Sequence, residues 1–167
     1  MNLKLSRRLT IVCLVVAGAA AGLVGSLAAS ADPTQRLYLG MNLHFTGPDT
    51  SAGTFVASGA VADSGVADVS DLTIIPTGSA DRGRLSGTET YTGQQGTIVT
   101  CFEGEAFPLS SPHEVGVGRF EIVSGTGAYA GVSGNGTFEI VVDATTNQLI
   151  GTEVARVHHF RGSDDDD

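Results

Sequence analysis

The sequence predicts an all-β fold, an eight-stranded antiparallel β-barrel behind an N-terminal signal peptide. Three observations point there. Leu37, Leu39, Met41, Leu43 and Phe45 fill every second position, the period-two pattern of a half-buried strand. Seven further short runs follow, bounded by glycine, proline, aspartate and asparagine in turn-forming combinations. No segment shows helical periodicity or a heptad. With no helix available to cover a sheet face, closure is the simplest way to remove exposed strand edges.

The strands are taken in chain order. After Leu37–Phe45, the run Gly53–Val61 lies between Gly47-Pro48-Asp49 and Asp63-Ser64-Gly65, both turn sequences. Val66–Ile75 stops at Pro76, Arg84–Tyr91 at Gly93, and Thr97–Phe107 at Pro108. Val115–Val123, Gly134–Val142 and Leu149–Phe160 complete the eight, with Asp143–Gln148 as the last hairpin connection. Gly59, Gly87, Gly104, Gly116, Gly118, Gly134, Gly136 and Gly151 fall inside these strands, where glycine normally weakens pairing. In a small barrel they are expected to permit coiling and bulges. A β-sandwich is the alternative, but its immunoglobulin form is built on a Cys…Trp…Cys core, and the chain has no tryptophan.

The chain has 167 residues and a formal charge of −9, with 23 glycines that follow no collagen period. Its first part reads as a leader. Lys4, Arg7 and Arg8 form a basic region, the stretch 9–28 carries no charge, and Ala29-Ser30-Ala31 supplies a small-x-small cleavage site. Cys13 lies inside the apolar stretch, which argues against a lipoprotein anchor. The expected organisation is a signal peptide at 1–31, a barrel domain at 32–163 and an acidic tail at 164–167. Cleavage would leave six basic residues against 18 acids, a net charge of −12. So acidic a secreted protein would repel nucleic acid, and anionic membranes once the leader is removed. Cys101 is the one cysteine outside the leader, expected as a buried, inert thiol.

The most specific stretch is Gly118–Phe138, GRFEIVSGTGAYAGVSGNGTF. It reads as a strand–bulge–strand corner in which glycines take positive φ and Tyr129 packs across the turn. No helix-forming segment follows Gly125-Thr126-Gly127, so a phosphate-binding loop is not indicated. The part from Val123 to Phe138 resembles the glycine-rich corner of the allene oxide cyclase and dirigent superfamily. Together with the leader, GTFVASGAVADSG at Gly53–Gly65 and GTI at Gly96–Ile98, it is also similar to small secreted actinobacterial proteins of unknown role. The resemblance implies an eight-stranded antiparallel barrel, a homo-oligomer (a trimer in those families), and cyclase, isomerase or dirigent-like activity. It also exposes a departure. The carboxylate those families carry on the first strand falls on Met41 here, and a nearby asparagine position falls on Leu43. A thioether cannot transfer a proton.

Other residues therefore come forward as candidates. Glu89 and Tyr91 share a face with Leu85, which points them to the core. A carboxylate and a phenol there need partners, which Arg119 or Arg156 would supply. Glu89, Tyr91 and Arg119 are the candidate catalytic residues. Glu103 and Glu105 share a face with Cys101, but the opposite face holds Ile98, Phe102 and Ala106, so these two carboxylates are expected in solvent. His158 and His159 point to opposite faces, and His44 and His113 lie far apart in sequence, so neither a metal site nor another cofactor is indicated. The expected function is a secreted barrel that binds a small hydrophobic molecule along Leu37, Leu39, Met41, Leu43 and Phe45, or serves as a scaffold. The alternative is dirigent-like or cyclase/isomerase action on a hydrophobic intermediate in the lumen.

Overall fold

Eight strands follow one another around a closed ring: β1 (Gln35–Phe45), β2 (Ser51–Gly59), β3 (Asp63–Pro76), β4 (Gly83–Gly93), β5 (Thr97–Ser110), β6 (His113–Gly125), β7 (Val132–Asp143) and β8 (Gln148–His159). Every neighbouring pair is antiparallel, and β8 closes on β1 from Gln35↔Val157 to His44↔Gln148. This computed structural model describes residues 34–78 and 82–159. The expected leader, Phe160 and the acidic tail lie outside the described residues.

The core is the inside of the ring, and the period-two pattern fills it. On β1, Leu37, Leu39, Met41 and Leu43 are buried while Tyr38, Asn42 and His44 are exposed. Full burial of such a side chain is worth about 2 kcal/mol, so a one-residue register slip would turn four of them into water. Phe45, the fifth expected lumen residue, sits half-buried against the edge of the core.

The strand glycines have a steric role. Gly87, Gly118 and Gly136 lie directly opposite Phe102, Phe138 and Phe120 on neighbouring strands. A Cβ at any of the three would come within 2.6 Å of the facing ring. At Gly53, Gly65, Gly104, Gly134 and Gly136 a Cβ would also collide with a main-chain carbonyl of the adjacent strand. All of these glycines share the inward parity of their strands. A tightly coiled wall crowds its concave side, and glycine is the residue that removes that crowding. The expected coiling is therefore present, but the expected bulges are not at these positions. The register shifts fall at Ser70/Thr73, Val99/Thr100 and Pro108/Ser110.

Most strand ends move by one to three residues from the sequence reading. β3 begins at Asp63, within the expected turn. β5 runs past Pro108 to Ser110, because the proline sits at a register shift, where a residue without an N–H is tolerated. Gly134-Asn135-Gly136 lies in β7, in keeping with the expected run Gly134–Val142. The corner before it is a single 3-10 turn, Gly127–Tyr129, with a register shift on β6 between Ile122 and Ser124 just ahead of it. Gly127 and Gly131 take the expected positive φ, at 60° and 70°. Tyr129 packs inward with no exposed surface.

Tyr129 is held by a clamp on β3. The Asp63 carboxylate accepts hydrogen bonds from the main-chain N–H of Ser64 (2.8 Å), Gln94 (2.9 Å) and Gln95 (3.2 Å), and from the Tyr129 hydroxyl (3.2 Å). One buried side chain thus ties the start of β3, the β4–β5 hairpin and the β6–β7 corner together at one end of the barrel. Burial and the Asp63 charge raise the Tyr129 phenol above its usual range, so it stays protonated and donates.

Candidate functional site

Alternation on β4 sends Leu85, Glu89 and Tyr91 inward, as the sequence predicts. The same rule on β8 sends Leu149, Glu153, Ala155 and Val157 inward. β4 and β8 are four strands apart in either direction around the ring, so the two carboxyls approach from opposing walls. Glu89 is 3% exposed, Glu153 2% and Tyr91 not at all. In register, Glu89 is flanked by Val69 and Thr100, and Glu153 by Leu39 and Phe138. The Tyr91 ring meets Phe55 edge-on at 5.1 Å between centroids. A polar group therefore sits inside an apolar shell.

The electrostatics follow from that shell. Desolvation raises Glu89 from an ordinary 4.5 to about 7, against a smaller opposing effect of Tyr91 and Glu153. Burial and then the Glu89 charge push Glu153 well above the carboxylate range. Burial, reinforced by both carboxylates, raises the Tyr91 phenol, which stays a proton donor. The three groups are near enough to shift one another, yet their contacts fall short of complete hydrogen bonding. Glu89 Oε1, Tyr91 Oη and Glu153 Oε2 are buried with no hydrogen-bond partner, as are Thr100 Oγ1 and Ser51 Oγ. Each such atom costs about 1–3 kcal/mol when left unmatched.

Arg119 does not join the site. On β6, Phe120 and Ile122 take the inward positions, so Arg119 faces out, exposed, in register with exposed Glu103. Arg156 is exposed for the same reason, beside inward Ala155 and Val157. Arg36, Arg82 and Arg84 are exposed too, so no arginine among the described residues enters the lumen. Glu103 and Glu105 are in solvent as expected, and Cys101 is half-buried. Among the described residues no three His, Cys, Asp or Glu side chains gather as metal ligands.

Glu153 is the residue that sequence reasoning missed. Its signal was present, since it stands in phase with Leu149, Ala155 and Val157. Asp63 carried a weaker signal, because a strand-opening aspartate and a turn aspartate look alike. The comparisons with known proteins add no assignment. No family model matches the chain, and no curated protein matches it in sequence.

Proposed function

We propose that the protein is a secreted binding barrel that takes a small hydrophobic molecule into its lumen, with Glu89, Tyr91 and Glu153 holding the polar end of that molecule. The observation that carries this reading is the set of buried polar atoms without partners, contributed by β4 and β8. Buried polar groups in folded proteins are nearly always satisfied, and a ligand is one way to satisfy them. The shell around them, with Leu39, Met41, Phe55 and Phe138, suits an apolar body. Micromolar binding requires about 8 kcal/mol, which roughly 300 Å² of buried apolar ligand surface supplies before the entropic cost of association.

Titration with the neutral fluorophore N-phenyl-1-naphthylamine tests the reading. The wild type should bind it with micromolar affinity, and Met41→Asp should weaken binding by placing a charge against the apolar body. Absence of saturable binding in the wild type would refute the proposal. A second reading, proton transfer to a bound hydrophobic intermediate as in a cyclase or isomerase, is favoured by a carboxyl poised at about 7. Recovery of a chemically unchanged ligand from the lumen would count against it.

The outer wall supports self-association as a further part of this proposal. Tyr38 on β1 and Val154 on β8 are paired and exposed, with Ile150, Val56 and Val66 exposed on β8, β2 and β3. Asn42, Thr54 and Thr152 lie between them, with no charged side chain interposed. Sedimentation velocity reads the oligomeric state directly, and a monomer at high concentration would overturn this part.

A further inference from the structure

Resting on the lumen-binding reading, we infer that the ligand is cationic: Glu89 and Glu153, opposed across the lumen with no cation beside them among the described residues, recognise the ammonium group of a hydrophobic amine. Among the described residues the ionisable groups of the lumen are all acids. Looking inward, β1 offers Leu37, Leu39, Met41 and Leu43, and β2 offers Ser51, Phe55 and Ala57. β5 offers Ile98 and Thr100, β6 Phe120 and Ile122, and β7 Val132 and Phe138. None of these side chains titrates. β3 adds Asp63, which its four hydrogen bonds already occupy at the Tyr129 end. His44 and His158 are exposed, and the described arginines lie outside. Among the described residues, Glu89, Tyr91 and Glu153 are thus the ionisable groups facing the middle of the lumen.

Such a pair discriminates by charge. An anionic ligand would add a third negative group to a low-dielectric space. A neutral alcohol would satisfy one acceptor and leave its partner unmatched. An ammonium group carries three N–H donors, enough to serve both carboxylates, and its charge offsets the one that burial disfavours. The Tyr91 and Phe55 rings, 5.1 Å apart, add aromatic surface that attracts a cation. Calcium takes about six to eight oxygen ligands, more than two carboxylates and a phenol supply. Binding of the ammonium form displaces whatever proton the pair holds, so affinity rises with pH.

The test is competition against bound N-phenyl-1-naphthylamine by octylamine, octanol and octanoate, three probes of equal chain length. At about pH 8.5 octylamine should displace the dye about tenfold or more better than octanol, with octanoate weakest. The advantage should shrink by a similar factor at about pH 5, where the carboxyls are protonated. It should vanish in Glu89→Gln/Glu153→Gln, which removes both charges and keeps the shape. Dye binding and thermal melting report that this variant is folded, and Glu153→Gln alone should show a partial loss. Equal displacement by amine and alcohol would overturn the inference and leave the lumen reading standing. So would an amine preference that persists in the double variant, since that places the cation on the acidic exterior. Failure of the dye and all three probes to bind would refute the lumen reading and the inference with it.

Discussion

Raising the pH should weaken this fold through the two lumen carboxyls. In the unfolded chain Glu89 has its ordinary value of 4.5, and in the barrel burial lifts it to about 7. Between those values the folded state holds a proton that the unfolded state has released. Stability therefore falls by about 1.4 kcal/mol for each pH unit crossed, on the order of 3 kcal/mol over the whole window. Below the unfolded value both states are protonated and the contribution is flat. Above the folded value the full cost of the buried charge is present. Glu153 is raised by the same desolvation, so it adds in the same direction and extends the decline upward. Urea denaturation at a series of pH values from about 5 to about 8.5 measures this, with Glu89→Gln/Glu153→Gln followed in parallel. The amides cannot ionise, so the double variant should lose less stability across the window by the same few kcal/mol. Repulsion among surface carboxylates is common to both proteins and cancels in the comparison. Parallel decline of the two proteins would refute the argument, because the lumen carboxyls would then not be held protonated by the fold.

Two further perturbations test the frame that positions the site. Asp63→Ala should cost about 3 kcal/mol or more in urea denaturation, since it strands the N–H groups of Gln94 and Gln95 and the buried Tyr129 hydroxyl. Tyr129→Phe removes one of those bonds and should cost about 1 kcal/mol, and a double-mutant cycle should show the two changes coupled. Gly136→Ala should cost about 2 kcal/mol, because its Cβ meets both the Val154 carbonyl and the Phe120 ring. Gly40→Ala, whose Cβ approaches nothing closer than 4.0 Å, should be neutral within about 0.5 kcal/mol in the same assay.

Much of the barrel was legible residue by residue. Period-two alternation is a property of the extended backbone itself, so Leu37, Leu39, Met41 and Leu43 declare their face without reference to any other strand. The same local rule placed Glu89 and Tyr91 inside and Glu103 and Glu105 outside, and it was sufficient to place Glu153 as well. Glycine and proline marked most strand ends because their φ preferences and missing groups act within a few residues. What each strand faces is not local. Arg119 was expected beside Glu89, but its inward or outward direction depends on the phase of β6, where Phe120 and Ile122 claim the interior. The Asp63–Tyr129 bond spans 66 residues and exists because closure brings the starts of β3 and β7 to one end. Only the closed ring sets Glu89 opposite Glu153. Strand number and register determine which walls oppose each other, and those are properties of the whole sheet that no single segment encodes.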